Sequence, residues 1–500
     1  MRRRIQNLKA IWLASAAAMA IPAGPALAQT ADSSKPAEIE EVIVTGIRQS
    51  IANAIETKRD ADVIMDTISA EDIGKLPDQN ISETLSRIPG VQISRVEGEG
   101  TAINVRGIDL NRLELNGKSF VGSAPNGDPA TSDISPEMLS SVEIIKSPSA
   151  DLTEGWLGAI VNLKTKRPLD LNRGVFSFRA QGAHADKADK LGGKASAFWA
   201  DNFFDGKLGL LVGVTGNRFY GRTDQYSSGG WTQTSAIDVT GDGVADPNLF
   251  RPNRLQTWGV TRKDERWALN GTLQWRPIEP LTITLDGLKS KKTVDRTRFV
   301  EQVILNNNYS NAHALADGTI DRGAVSGVTL RPLIYDGDSE ASTQAVNFTA
   351  EYKTAKWKLS VDASDSSGDG EGADGNDPTN PGYAGVDGVL VARQIAGGVV
   401  NTTYDTNGGA FSPNYQVSTN FNRLDPSQYE IFTIVDSQYQ THNKGRDVAF
   451  DATYYFDFGL FTSIKVAGAR REQTSVTTGG ASIDRSEERR VGKECMPVCR

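Results

Sequence analysis

Two hydrophobic periods divide the chain. Between Ala61 and Pro168 the apolar positions mix helical and strand spacing, and after Arg167-Pro168 they settle to every second residue as far as Asp484. In the first region Ile81, Leu85 and Ile88 fall on one face of a helix that Pro89-Gly90 stops. Ser69 with Asp72, and Ser135-Pro136-Glu137, read as helix starts. Short strands are expected at 91–94, 102–106, 113–115, 142–145 and 159–164, which together describe a small α+β domain of about a hundred residues. Ahead of it, 40–46 is a lone β-branched run, and Ile47, Ile51 and Ile55 repeat at helical spacing up to Lys58-Arg59.

In the second region one face of each run is apolar and the other polar. Trp267, Leu269, Leu273 and Trp275 alternate with Ala268, Asn270, Thr272 and Gln274; Val448, Phe450, Ala452, Tyr454 and Phe456 alternate with Asp447, Asp451, Thr453 and Asp457. Similar runs fall at 175–183, 194–199, 208–219, 281–288, 346–352, 357–363 and 461–467, which makes about nine strands. The connections alternate too: those at 205–207, 277–280, 355–356 and 459 are tight, while 226–265 and 365–446 read as long polar loops. Lipid on one face, water on the other and loops long on one side only are the marks of a membrane β-barrel; a soluble sandwich needs none of them together.

Both ends change the picture. Four cations in 1–9, an apolar run over 10–21 and Ala26-Leu27-Ala28 before Gln29 read as an export signal. No later stretch reaches the ~18 apolar residues of a membrane helix, so residence in a membrane would be by strands. The stretch from Arg485 to Cys495 breaks the alternation and resembles the conceptual translation of a sequencing-library adapter. The expectation is that natural sequence stops near Asp484 and that further strands are missing. Setting aside four cations at the start and a net two at the end takes the formal charge of the 500-residue chain from −8 to −14. That disfavours nucleic acid as a partner. Cys495 and Cys499 are the two cysteines, so 1–484 offers no thiol chemistry, zinc thiolate or disulfide.

With these features on the page, the chain resembles the TonB-dependent outer-membrane receptors. Glu41-Val42-Ile43-Val44-Thr45-Gly46 is similar to the TonB box. Ile88-Pro89-Gly90-Val91 and Asn104-Val105-Arg106-Gly107 resemble plug signatures, and Val142 to Pro148 with Gly158 to Pro168 resembles the plug's last signature and its exit into the barrel. Lys146-Ser147 departs from the usual Arg-Gly, so a plug salt bridge is expected to shift. The resemblance implies a membrane all-β fold: an antiparallel transmembrane barrel of ~22 strands when complete, closed by an N-terminal α+β plug. The expected division is a signal peptide at 1–28, a periplasmic linker with the TonB box at 29–60, a plug at 61–168, the first part of the barrel at 169–484 and the foreign tail at 485–500.

It also implies active import across the Gram-negative outer membrane, with TonB, energised through ExbB and ExbD, pairing with 41–46 by β-augmentation on the periplasmic side. An edge strand of the plug is the competing reading of that run. The wording of 72–80 and 113–118 resembles the branch often associated with oligosaccharide uptake; a siderophore or cobalamin receptor is the alternative. A passive porin and a surface-binding protein are further classes, disfavoured by the plug and the TonB box. The expected partners are TonB, outer-membrane lipid and an extracellular substrate, a carbohydrate.

Substrate contacts are expected from the plug apex, at Lys118, Asn126, Asp128 and Asp133, and from aromatics such as Trp231, Tyr309 and Tyr383. One loop spaces oxygens as a calcium loop does: Asp238, Thr240, Asp242, the Val244 carbonyl and Asp246. The twelfth position is Leu249 rather than a bidentate Glu, and a plain Asp/Gly turn is an equal reading. Gly117-Lys118-Ser119 lacks the leading glycine of a phosphate loop, since Arg112 stands there. His184, His313 and His442 are far apart, and no catalytic motif occurs, so an enzyme is the weakest class.

Overall fold

The computed structural model describes residues 54–61, 63–69, 81–96, 99–123, 139–149, 152, 154–171, 173–372, 388–395, 397–406, 414–458 and 461–484. Residues 54–59 are helical, followed by β1 (Met65–Ser69), α1 (Ile81–Leu85), β2 (Val91–Val96), β3 (Glu99–Val105), β4 (Arg112–Leu115), β5 (Lys118–Ser119), β6 (Leu139–Ile145) and β7 (Ile160–Thr165). These build a five-stranded sheet in the order β1-β6-β7-β4-β5, with β2 and β3 as a separate hairpin. The pairing of β4 with β7 is parallel and the others are antiparallel. Ile81, Leu85 and Ile88 do share a buried face, packed with Val105, Leu139, Val142, Ile144 and Leu163. Gly90, at φ 79°, takes the left-handed conformation that ends the helical segment. The strand β1 is not foreseen by the pattern, because Asp66, Thr67 and Ser69 interrupt its apolar positions. The expected helix starts at 69–72 and 135–137 involve residues outside the described set.

After β7 come the wall strands β8 (Val175–Ala185), β9 (Lys190–Phe203) and β10 (Leu208–Ser227), the short pair β11 (Trp231–Thr234) and β12 (Leu249–Pro252), then β13 (Arg254–Ile278) and β14 (Leu281–Ile304). They continue through β15 (Tyr309–Ala314), β16 (Ile320–Ser326), β17 (Thr329–Lys353), β18 (Trp357–Gly372), β19 (Gly388–Gln394), β20 (Val400–Asp405), β21 (Asn414–Thr419), β22 (Tyr429–Phe458) and β23 (Phe461–Asp484). Nine long antiparallel strands run β8-β9-β10-β13-β14-β17-β18-β22-β23, with β19 wedged between the ends of β17 and β22. No described helix is long and apolar enough to cross a membrane.

The two faces separate by parity. Trp267, Leu269, Leu273 and Trp275 are 41–49% exposed, while Ala268, Asn270, Thr272 and Gln274 are at most 6% exposed. The outward stripe continues through Val212, Leu285, Phe348, Val361 and Phe450, an apolar band suited to lipid. The inward face packs on the α+β domain: Leu288 of β14 and Ala345 of β17 belong to that domain's core.

The loops expected at 226–265 and 365–446 are largely strand. The ladder of β10 with β13 continues to Ser227 opposite Gln256, and that of β18 with β22 to Gly372 opposite Tyr439. A membrane strand needs ~9–11 residues, whereas β13 has 25 and β22 has 30. Beyond the apolar band both faces meet polar surroundings, so the hydrophobic alternation fades while the backbone ladder persists. At the strand ends the sheet β15-β16-β20-β21 covers Leu255, Val303 and Leu330 in a second core.

Candidate functional site at the contact of plug and wall

Two buried wall carboxylates hold the α+β domain. Asp286 on β14 accepts from Arg167 Nη1 at 2.7 and 2.9 Å, from Thr272 Oγ1 at 2.8 Å and from Asn116 Nδ2 at 3.3 Å. Arg167 lies just past β7, so the pair fixes the point where the chain leaves the domain for the wall. Asp362 on β18 accepts from Lys118 Nζ at 2.6 Å, Thr349 Oγ1 at 2.7 Å and Ser360 Oγ at 2.9 Å. Lys118 is presented by an Asn-Gly turn in which Asn116 and Gly117 have φ of 54° and 75°, the left-handed pair of a two-residue hairpin. Its Nζ is thereby committed to the wall.

Farther along, residues 121–123 lie against β18 and β22. Val121 N donates to Ser366 Oγ at 3.2 Å, and Asn443 Nδ2 donates to Gly122 O at 2.8 Å. A Cβ on Gly368 would stand 2.0 Å from Gly122 O, one on Gly370 2.6 Å from Ser123 O, and one on Gly445 2.9 Å from Val121 Cγ1. Glycine at these inward positions lets the two backbones touch. Beside this contact a cavity of about 300 Å³ is lined by Lys118, Asn162, Asp362, Asp447, Asp451 and Arg471.

On the opposite edge of the small sheet, Asp66 of β1 takes Lys146 Nζ and Lys58 Nζ, each at 2.6 Å. Burial pushes the Asp66 carboxyl up, but hydrogen bonds from Lys146 and then Lys58 outweigh it and hold the group below its ordinary value. Lys146 also donates to Pro89 O at 2.8 Å, and Ser147 Oγ accepts from Ile64 N at 2.8 Å. The Lys146-Ser147 departure thus has its own set of partners. Lys58 carries the contact back to the helical stretch 54–59.

Among the residues singled out for function, Glu41 to Gly46, Asn126, Asp128, Asp133 and Tyr383 lie outside the described residues. Trp231 is an exposed residue of β11, and Tyr309 packs edge-on to Tyr404 with their hydroxyls 3.1 Å apart. In the acidic loop, Asp238 accepts from Gly241 N at 2.6 Å and Gly243 N at 2.8 Å, which lowers its pKa. Asp246 accepts from Val239 N at 2.7 Å and Thr240 N at 3.1 Å, and Asp242 accepts from Val244 N at 2.8 Å. These carboxylates cap the turn's own N–H groups. Among the described residues, no three His, Cys, Asp or Glu converge as a metal site would require.

Asp286, Asp362 and Arg167 are not foreseen from the sequence, since each is one more polar residue on a polar face. Gly368 and Gly370, alternating on that face, are the signal that was there to read.

Residues 57–158 match the family model described as TonB-dependent Receptor Plug Domain. No curated protein matches the chain. Among solved structures, a ferric enterobactin receptor mutant from Pseudomonas aeruginosa is similar at 14% identity, covering 84% of this chain and 72% of that one with a TM-score of 0.33. The siderophore receptor PirA from Acinetobacter baumannii is similar at 13% identity, covering 86% and 79% with a TM-score of 0.34. A copper transporter, OprC, is similar at 13% identity, covering 83% and 72% with a TM-score of 0.34. Likeness at this level carries no ligand from one protein to another. Residues 57–158 are a TonB-dependent receptor plug domain, joined in one chain to a wall of long antiparallel strands.

Proposed function

We propose that the chain is an energised importer of the Gram-negative outer membrane, a transporter and not an enzyme, whose plug closes the lumen until TonB acts. The observation that carries this reading is the seating of the plug against the inner wall by Asp286 and Asp362, with backbone contact at Gly368 and Gly370. A plug held by two buried carboxylates is seated at rest, because each ion pair broken in a buried setting costs several kcal/mol. An external pull on the plug is the part of the cycle that this reading assigns to TonB. Glu41 to Gly46 is the handle: Val42 to Thr45 supply a strand whose backbone pairs with TonB, driven by ExbB and ExbD. The helical stretch 54–59 and the Lys58–Asp66 pair lie in the line of that pull.

The substrate is an oligosaccharide, a reading supported by the plug wording at 113–118 and by aromatic groups on the loop side. A ferric siderophore is the second reading, and a cobalamin comes after it. Asn126, Asp128 and Asp133 remain apex contacts in this proposal. Calcium remains the candidate ligand of the 238–246 loop, where it would have to displace the N–H donors now on Asp238 and Asp246. Calorimetric titration of the protein with calcium, with Asp238→Asn as control, tests that point: heat lost in the variant supports it, and no heat in either contradicts it.

Uptake tests the import reading. Labelled oligosaccharide should accumulate in cells bearing the receptor and TonB, and accumulation should stop in a Val44→Pro variant that still binds substrate at the surface. Accumulation unaffected by loss of TonB contradicts it.

A further inference from the structure

The two wall carboxylates that seat the plug are reached from one turn. Asn116 Nδ2 donates to Asp286 of β14 at 3.3 Å, and Lys118, just past Gly117, lies 2.6 Å from Asp362 of β18. The strand that follows the turn, β5, has two residues, paired as Leu115 with Lys118 and Glu114 with Ser119. So short a ladder does not hold a turn in place by itself. The end of β7 holds it. Asn116 N donates to Leu163 O at 2.8 Å, Thr165 N donates to Asn116 Oδ1 at 2.9 Å, and Gly117 N donates to Asn162 Oδ1 at 2.8 Å. Just past β7, Arg167 makes the ion pair with Asp286. The stretch 162–167 thus sets Arg167 and Asn116 on one wall carboxylate and, through Gly117, Lys118 on the other.

Asn162 is the link to the Lys118 side. It is buried, and it stands in one cross-strand row between Glu114 and Glu143, which are buried as well. Its Nδ2 donates to Glu143 Oε2 at 3.2 Å. Glu143 also pairs with Lys164, and Glu114 takes Arg112 Nε at 2.9 Å. A neutral amide in that row donates to one acid and still offers an oxygen to Gly117 N. Leucine there would remove both bonds, and aspartate would add a third buried carboxylate. The bond to Gly117 N matters because glycine is the most permissive residue of the turn. With the bond, Asn116 cannot leave Asp286 without carrying Lys118 along; without it, Gly117 is a hinge and Lys118 stays on Asp362.

We propose that Asn162 is a positioning residue that couples the two seats, so that Asp286 and Asp362 release the plug together rather than one after the other. Groups in one hydrogen-bonded network do not act additively, and this network spans both wall contacts. The proposal rests on the import reading and adds to it that a single pull empties both seats.

The test is chemical labelling of the purified full chain, read by mass spectrometry: acetylation of Lys118 and phenylglyoxal modification of Arg167. Lys146, paired with Asp66 across the small sheet, is the internal reference. Asp286→Asn removes a charge that Lys118 does not touch, yet it is expected to speed Lys118 acetylation about fivefold, with Lys146 changed less than about twofold. Asp362→Asn is expected to speed Arg167 modification to a similar extent. In an Asn162→Leu background the effect of Asp286→Asn on Lys118 should fall below about twofold. Asn162→Asp combined with Glu143→Gln, which keeps an acceptor for Gly117 N and a donor at 143, should restore it. Absence of the cross-effects, an equal rise at Lys146, an undiminished effect in Asn162→Leu, or no restoration by the paired change would each overturn the proposal. The first arm needs no change at Asn162, so it decides the coupling even where Asn162→Leu does not fold. Labelling needs neither TonB nor substrate, so its failure leaves import standing, while intact cross-effects with TonB-independent uptake would remove the import reading alone.

Discussion

At the residue scale, what matters is whether a charge is buried with partners or left in water. Asp286 is 6% exposed and takes two donors, Asn116 and Thr272, besides its ion pair with Arg167. Asp286→Ala leaves Arg167, Asn116 and Thr272 without their acceptor, and a loss of about 2–4 kcal/mol is expected. Arg446 and Asp365 also pair, at 2.9 Å, but both are about 70% exposed; Asp365→Ala should cost under about 1 kcal/mol. Urea unfolding of the two variants checks the contrast, and equal losses would contradict it. Asp66 supplies a pH dependence. Its pKa is lower folded than unfolded, so its contribution is fully present above the ordinary carboxylate range and is lost as pH falls through the depressed folded value. Plug stability followed by hydrogen exchange should therefore fall on acidification below about pH 4, and Asp66→Asn should flatten that part of the profile. A variant as acid-sensitive as wild type would assign the effect elsewhere.

At the element scale, backbone approach decides. Gly368→Ala puts a methyl 2.0 Å from Gly122 O, while Gly468→Ala meets nothing within 4 Å. The first is expected to displace the plug from β18 at a cost of about 1–3 kcal/mol, the second to fall within about 0.5 kcal/mol. Protease cleavage near residues 117–123 reads this out: Gly368→Ala should expose the segment, and an unchanged pattern would contradict the close contact. The elements legible in the sequence were those with one dry and one wet face. The nine wall strands and the Pro89-Gly90 stop show themselves by period or by punctuation. Beyond the apolar band the strands lose their period, which is why β10, β13, β18 and β22 run well past their expected ends. The inward carboxylates stayed hidden for a related reason, since a polar inner face does not say which of its residues meets a plug. The glycine alternation at 368 and 370 was the readable trace of that contact.

At the scale of the whole molecule, the described wall runs from β8, paired only with β9, to β23, paired only with β22. The apolar residues of that wall face outward, and its inward face holds the described part of the plug at Asp286 and Asp362. The central claim is that the lumen is shut at rest and opened by work on the plug. Single-channel recording on the receptor purified from its native outer membrane tests this most directly. The account predicts no steady conductance in the wild type and intermittent openings when Asp286→Asn and Asp362→Asn are combined; a steady open channel in the wild type would contradict it and make the protein a passive pore.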